Sequence, residues 1–226
     1  YFLPAEDNWW SPGDNGPCGP CSEMFYDMVG NIGDLSHEKF LEALKKEEVI
    51  EIWNDVFMEY EKKDGKVVGK LKQKNVDTGA GLERMTAVMQ EKKTAYDTDL
   101  FLDVMSLVKE NAKNYDEQLA RVVLDHLRTA TFLIGDGVVP GNKDQGYVLR
   151  RLIRRAVFKM GVLMLDPAIG TKIIEKYVEK YSLVYSNLKL DSIKDIFREE
   201  EVKFTKTIQD GKKEFSFVGL GELPSI

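Results

Sequence analysis

A short polar segment, Asp77-Thr-Gly-Ala-Gly-Leu-Glu-Arg84, combines residue types that suit a small phosphorylated ligand. Gly79 and Gly81 have no side chain that would keep a ligand away from the backbone. Arg84 can donate two parallel hydrogen bonds to phosphate oxygens, and Asp77 can accept one from an ammonium group. Taken alone, a turn with a capping Asp and a surface Arg is the favoured explanation of the segment, because short Gly patterns are weak indicators of a nucleotide site.

A second candidate site is rich in arginine and lies on a predicted helix. Its members are Arg150, Arg151, Arg154 and Arg155. We expect these guanidinium groups to project to one side, because apolar residues between them form the stripe that would pack on a core. Lys143, Lys159, Arg121 and Arg128 could extend this basic face. Such a face suits a phosphate backbone, although a solvated helix whose arginines pair with acidic residues is the alternative.

The sequence Cys18-Gly-Pro-Cys21 matches the active-site tetrapeptide of thioredoxin-like oxidoreductases, in which a helix start lowers the pKa of one thiol. That chemistry requires an apolar strand before the motif and a helix that begins at it. Here Gly-Asp-Asn-Gly-Pro precedes the motif and strand-like residues follow it. Two thiolates also cannot hold a structural zinc ion by themselves. We therefore predict a rigid loop that holds no metal ion.

A hairpin and a short helix are needed to position the first candidate site. The alternation of side chains in residues 51–60 predicts a strand, and residues 67–71 predict its antiparallel partner. Asp64-Gly65 between them is typical of a hairpin turn. From Leu82 onwards the apolar spacing becomes helical.

After the hairpin, the pattern is helical almost to the end of the chain. The Asp97 side chain can cap a helix start. Helices are expected near residues 98–112, 117–134, 145–163, 168–185 and 191–216. The fold class is therefore predicted to be α+β, with a sheet-containing domain over residues 1–97 and an all-helical domain over residues 98–226.

Composition excludes several classes of protein. The 226 residues are 43% hydrophobic and 31% charged, which is a globular balance and not that of a disordered or fibrous chain. A net charge of −6 argues against a uniformly basic nucleic-acid binder, so any such face must be local. No apolar run reaches the roughly 20 residues of a membrane-spanning helix, so no membrane partner is expected. Two closely spaced cysteines favour a reducing compartment, and we expect a cytoplasmic protein.

Several segments, taken in order, resemble the alanine-specific class II aminoacyl-tRNA synthetases. Residues 77–85 look like motif 3 of that class, and residues 125–155 resemble the helices that bind the tRNA acceptor stem. The agreement extends to residues 8–10, 13–14, 16–23 and 51–54. The resemblance implies the C-terminal part of a class II antiparallel-sheet core, followed by an incomplete helical tRNA-binding domain. With no initiator Met, the chain is expected to be an internal fragment.

The resemblance also implies an activity and residue roles in the first domain. The family activates alanine with ATP and Mg²⁺ and transfers it to tRNA(Ala), mainly by positioning and charge neutralisation. The alanine pocket would contain Trp10, Asn54, Asp77 and Gly79. The ATP site would contain Glu51, Gly79, Gly81 and Arg84. Of these residues, Asp77 and Arg84 would be the catalytic ones.

In the second domain, the resemblance assigns tRNA recognition to a loop and a helix. Asn142 would read a G·U wobble pair from the minor groove, which its amide can do because it both donates and accepts hydrogen bonds. The four arginines of the predicted helix would bind the acceptor-stem backbone. Without the resemblance, Asn142 could equally be a simple helix N-cap.

Two other functions are compatible with parts of the sequence. The chain could be a stand-alone module that binds acceptor-stem RNA and ignores ATP. A Cys-Gly-Pro-Cys thiol-disulfide oxidoreductase is the less favoured alternative, for the reasons given above.

The resemblance predicts that this polypeptide does not form alanyl-adenylate by itself, because motifs 1 and 2, which carry another ATP-binding Arg, have no counterpart in it. Alanine-dependent exchange of pyrophosphate into ATP measures the step directly. Exchange above that of a protein-free control would contradict the prediction.

Overall fold

The computed structural model describes residues 1–217, and their side chains as far as residue 215. The chain divides into two compact units between Leu100 and Phe101. The first unit contains a sheet and short helices, and the second is helical throughout its described part. The predicted α+β fold with an antiparallel sheet is confirmed.

The first unit is built on one antiparallel sheet with the strand order β1-β2-β3-β4. The strands are β1 (Trp9–Trp10), β2 (Gly16–Asp27), β3 (Val49–Lys63) and β4 (Lys66–Gly79). The turn Asp64-Gly65 joins β3 to β4, with positive φ angles of 48° and 76°, so the predicted hairpin is confirmed. Both of its strands extend beyond the predicted bounds, because residues outside the alternating pattern still pair across the ladder.

Short helices accompany the sheet. They are α1 (Ala5–Asn8), α2 (His37–Lys45) and α3 (Leu82–Met89), followed by a 3₁₀ turn over Ala95–Asp97. The Ser36 side chain caps α2 by accepting a hydrogen bond from the Lys39 backbone N–H. One face of α2 buries Phe40 and Ala43 against Val49, which forms a small core beside the sheet.

The Cys-Gly-Pro-Cys segment lies within β2, so the predicted loop is wrong. Cys18 pairs with Tyr60 and Cys21 with Val56, and the register shifts between the two cysteines. At this irregularity Gly19 and Pro20 pair with β1 on the other side of the strand. Extended backbone is favoured here because the strand finds hydrogen-bonding partners along both edges.

The second unit contains five helices in its described part. They are α4 (Leu102–Asn111), α5 (Glu117–Gly135), α6 (Asp144–Val162), α7 (Ala168–Tyr181) and α8 (Leu190–Phe217). The expected cap at Asp97 is wrong, because Asp97 ends the 3₁₀ turn and accepts a hydrogen bond from the Thr94 hydroxyl. The next helix begins only at Leu102. Asp116 does cap α5, since its carboxylate accepts from the Leu119 N–H at 2.8 Å.

The core of the helical unit forms around α5. Leu124 and Leu127 are fully buried, as are Tyr177 from α7 and Phe197 from α8. The Tyr177 hydroxyl donates to the backbone carbonyl of Leu124 at 3.1 Å, so this buried polar group is satisfied. Within residues 1–217, no helix is both long and apolar enough to cross a membrane.

Gly19→Ala is expected to destabilise the sheet unit. A Cβ at Gly19 would lie 1.8 Å from the Phe57 carbonyl oxygen. This oxygen cannot move away, because β3 is paired with β2 and β4. Overpacking of this kind costs about 2 kcal/mol. Urea unfolding followed by Trp fluorescence measures the effect on this unit alone, because all three Trp lie within residues 1–100.

Gly69→Ala is the matched control for this experiment. Gly69 lies on β4, and a Cβ there would meet nothing within 4 Å. Its unfolding midpoint should stay close to that of the unmodified chain. An equal shift for the two variants would show that the close approach of Gly19 to β3 does not limit stability.

Candidate functional site

Several polar residues lie close together on one face of the sheet, in two adjacent sets of residues that are paired across β2, β3 and β4. One row contains Glu23, Asn54 and Gly79, and the next contains Cys21, Val56 and Asp77. Directly opposed residues of antiparallel strands share a face, and so do residues two apart on one strand. The pairing register therefore brings three of the predicted ligand-binding residues to neighbouring positions.

Glu51 joins this face because of a bulge in β3. The register shifts between Met24 and Phe25, which leaves Ile52 unopposed and pairs Phe25 with Glu51. Phe25 is two positions beyond Glu23 on β2, so Glu51 shares their face. In a regular strand, Glu51 and Asn54 would point to opposite faces, because they are three residues apart.

Arg84, in the first turn of α3, is bound to Glu51. Its Nη1 donates to the Glu51 carboxylate at 2.9 Å and to the Glu51 backbone carbonyl at 3.1 Å. The Arg84 side chain is still 55% exposed, so a ligand can reach it from solvent. A Cβ on Gly79 would meet nothing within 4 Å, and a Cβ on Gly81 would meet the Arg84 side chain at 3.6 Å. A flat ligand can therefore approach this stretch of backbone.

Glu23 and Asn54 give the site its electrostatic character. The Asn54 amide donates to Glu23 at 3.4 Å, and its Oδ1 is buried without a hydrogen-bond partner among the described residues. Burial raises the pKa of Glu23 above its usual range, the Glu51 carboxylate raises it further, and Arg84 opposes both. A cleft of about 570 Å³ is lined in part by Glu23, Glu51 and Arg84. Its acceptors favour a ligand that brings N–H donors or a divalent cation.

Trp10 lies apart from the other predicted residues of this site, whereas Asp77 lies among them. Asp77 is exposed, and its carboxylate accepts from the Thr78 backbone N–H at 2.9 Å. Trp10 lies on β1 opposite Gly19, so β2 and β3 separate it from Asp77 on β4. Sequence reasoning missed Glu23 as a site residue. The signal that could have found it is its position two residues after Cys21, in a strand that alternates between faces.

The loop between α5 and α6 folds tightly onto the start of α6. The Gly141 N–H donates to the Gly146 carbonyl at 2.9 Å. A Cβ on Gly146 would lie 2.6 Å from the Val139 carbonyl oxygen, so this contact requires glycine. Asn142 is exposed on the loop. The N-cap of α6 is Lys143, so the alternative assignment of Asn142 as an N-cap is wrong.

The four arginines of α6 do not project to one side, contrary to the expectation. Arg150 and Arg154 turn toward α8, where their Nε atoms lie 3.5 and 2.6 Å from a Glu200 carboxylate oxygen. Arg151 and Arg155 are exposed. The reason is helical geometry: residues four apart share a face, whereas adjacent residues are rotated by about 100°.

The other basic residues also separate into two groups. Arg121 forms an ion pair with Glu117 at 2.5 Å, and the Arg128 guanidinium lies 5.0 Å from the Phe101 ring centroid. These two arginines therefore stabilise the helical unit itself. Lys143 is exposed beside Asn142, and Lys159 is half-buried. Of the eight basic residues that the sequence suggested for this face, Lys143, Arg151 and Arg155 are the exposed ones, so the exposed basic surface is smaller than expected.

Glu200 was missed by sequence reasoning. It occurs in a run of three glutamates, which reads as a solvated helix face. However, Ile193, Phe197, Glu200 and Phe204 follow a helical spacing of four, three and four residues. A carboxylate inside an apolar stripe was the available signal, since charged groups are buried only when they are paired.

The thiols do not have the environment of a redox pair. Cys18 is fully buried, both cysteines are free, and the motif lies on a strand instead of a helix start. Burial, and next the Glu23 carboxylate, raise the pKa of Cys21. A reactive redox thiol needs the opposite shift. Residues 1–217 contain no group of three or more His, Cys, Asp or Glu arranged to hold a metal ion.

Iodoacetamide should modify Cys21 more slowly than a free thiol at neutral pH, because less of it is thiolate. Cys18 should react only after denaturant is added. Mass spectrometry of timed digests distinguishes the two sites, and glutathione in the same reaction is the reference. Fast labelling of Cys18 in the folded chain would restore the oxidoreductase alternative.

Comparison with known proteins identifies the family. The family model described as tRNA synthetases class II (A) matches residues 2–218. An alanine–tRNA ligase of Rickettsia akari (strain Hartford) is 43% identical over 218 residues, which are 93% of this chain and 24% of that protein. Those of Rickettsia felis and Rickettsia typhi are 43% and 41% identical over the same coverage. The chain thus spans about a quarter of the length of these curated relatives, and it belongs to the class II tRNA synthetase family.

Proposed function

We propose that this chain is part of an alanine–tRNA ligase and contributes both to alanine activation and to recognition of the tRNA(Ala) acceptor stem. The observation that carries the proposal is the exposed Asn142 on a glycine-closed loop, in a chain 43% identical to alanine–tRNA ligases. We assign residues 1–97 to the C-terminal part of the aminoacylation domain. Residues 98–226 are assigned to an incomplete helical domain that recognises the acceptor stem.

On the sheet, the proposed reaction begins with attack of the alanine carboxylate on the α-phosphorus of ATP, which releases pyrophosphate. Arg84 binds phosphate oxygens, and Gly79 and Gly81 let the nucleotide lie against the backbone. Asp77 accepts hydrogen bonds from the alanine ammonium group, and Asn54 contributes an acceptor beside it. Trp10 forms one wall of the alanine pocket.

Mg²⁺ bound with ATP fits the carboxylates of this cleft. Mg²⁺ is typically held by one or two carboxylates together with substrate phosphates, and not by a cage of protein ligands. Glu51 is the proposed ligand, with Glu23 beside it, because the Glu51 carboxylate and burial make the negative charge of Glu23 less favourable and a cation would offset both effects. The cation would neutralise charge that develops on the phosphates.

In the second step, a terminal ribose hydroxyl of the tRNA attacks the alanyl carbonyl and AMP leaves. The helical unit positions the acceptor stem for this transfer. Asn142 reads the wobble pair from the minor groove, where an RNA helix exposes its base edges. Arg151 and Arg155 bind phosphates from the exposed face of α6. Arg150 and Arg154, which pair with Glu200, belong to the same tRNA-binding interface.

The chain is expected to prefer an alanine acceptor-stem hairpin over the same hairpin with its G·U pair changed to G·C. Replacing Asn142 by Ala should abolish this preference, and one hydrogen bond lost at a base pair corresponds to about a threefold to tenfold change in Kd. Fluorescence anisotropy with labelled hairpins at fixed salt concentration measures both affinities.

Arg151→Gln is the matched comparison for this titration. It should weaken binding of both hairpins by a similar factor and reduce the salt dependence, because a phosphate contact carries no sequence information. Equal affinity of the unmodified chain for the two hairpins would refute the proposed reading of the wobble pair.

A further inference from the structure

The Glu200 carboxylate is the most deeply buried acidic group that the structure describes. Its side chain is only 3% exposed. Arg154 donates to it from Nε at 2.6 Å, and the Arg154 guanidinium also lies 5.3 Å from the Phe204 ring centroid on α8. The Arg150 Nε forms a longer ion pair with the same oxygen at 3.5 Å and has no hydrogen-bond partner among the described residues. One carboxylate of α8 therefore forms ion pairs with arginines on two neighbouring turns of α6.

Arg150 connects this buried carboxylate to the loop. While its Nε faces Glu200, its Nη1 donates to the Asn142 side-chain oxygen and its Nη2 donates to the Pro140 carbonyl at 3.3 Å. A guanidinium has five N–H donors and no acceptor, so only the oxygen of the Asn142 amide can face it. The Asn142 amide nitrogen is therefore directed away from Arg150.

We propose that Glu200 is a positioning residue that fixes the orientation of the Asn142 amide through Arg150. The inference rests on the proposed function, in which Asn142 contacts the acceptor stem. Without Glu200, the Arg150 side chain would lose the anion that holds its guanidinium between α8 and the loop. The amide of Asn142 could then rotate, and its donor and acceptor would no longer be presented in a single arrangement.

The test uses Glu200→Gln in the 226-residue chain, which keeps the shape of the side chain and removes its charge. Glu199→Gln is the matched control, because Glu199 is exposed and pairs with Lys203 along the same helix. Both variants change the net charge equally. With the wobble and G·C hairpins, Glu200→Gln should reduce the preference at least threefold, whereas Glu199→Gln should leave it unchanged. A folding defect is recognised from the thermal midpoint measured by circular dichroism.

Hydrogen exchange of residues 138–143 gives a readout that needs no RNA. In Glu200→Gln these amides, including the Gly141 N–H, should exchange faster, while those of α5 stay as slow as in the unmodified chain. Arg150→Lys is a second variant that keeps the charge but cannot hold Asn142 and Pro140 together, and it should reproduce both effects. In the Asn142→Ala background, Glu200→Gln should cause no further loss of preference.

The outcomes separate the inference from the function on which it rests. Faster loop exchange in Glu200→Gln, without any wobble preference in the unmodified chain, would overturn the proposed function and with it the role of Glu200 in reading RNA. A wobble preference that depends on Asn142 but survives in Glu200→Gln and Arg150→Lys would overturn the positioning role alone. Unchanged loop exchange in both variants would do the same.

Discussion

A carboxylate removed from water is stable only beside groups of opposite charge, and this requirement shapes the helical unit. Glu200 lies on the apolar face of α8, and the two guanidiniums that neutralise it come from α6. Their inward orientation determines which basic groups remain outside, namely Arg151 and Arg155. Arg150 contacts both Glu200 and Asn142, so it joins α8 to the loop before α6.

The sheet unit also contains carboxylates that need neutralising partners, but Glu51 is more exposed to solvent than Glu200. Glu51 has one cationic partner, Arg84, and Glu23 has an amide as its close neighbour. Burial, and next the Glu51 carboxylate, raise the pKa of Glu23, and the buried Asn54 oxygen lacks a partner in the described part of the chain. Glu200 pairs with two arginines, whereas the two carboxylates of the sheet unit have Arg84 beside them. Incomplete neutralisation is typical of a site that completes its contacts with a ligand.

The two units therefore use arginine in different ways. Arg84 is half-exposed and bound on one side only, so it remains accessible to phosphate. Arg150 and Arg154 are largely enclosed and join α6 to α8. The proposed function requires both kinds of site, because adenylate formation requires charge neutralisation and tRNA selection requires a fixed hydrogen-bonding surface. The described part of the chain contains an accessible arginine in the sheet unit and an enclosed pair in the helical unit.

The sequence by itself determined the antiparallel hairpin, the order of the helices and the family, because alternation, helical spacing and motif residues are local properties that the chain carries in order. It also indicated Arg84, Asp77 and Asn142 as candidate ligand-binding residues. Only the tertiary structure decided that Glu51 and Asn54 lie on the same face of the sheet, since that depends on the unopposed Ile52 in β3. Only the packing of α8 on α6 decided which arginines face inward, and showed that Glu200 is buried among them. Strand register and helix packing join residues that are distant in sequence, so no local pattern could specify them.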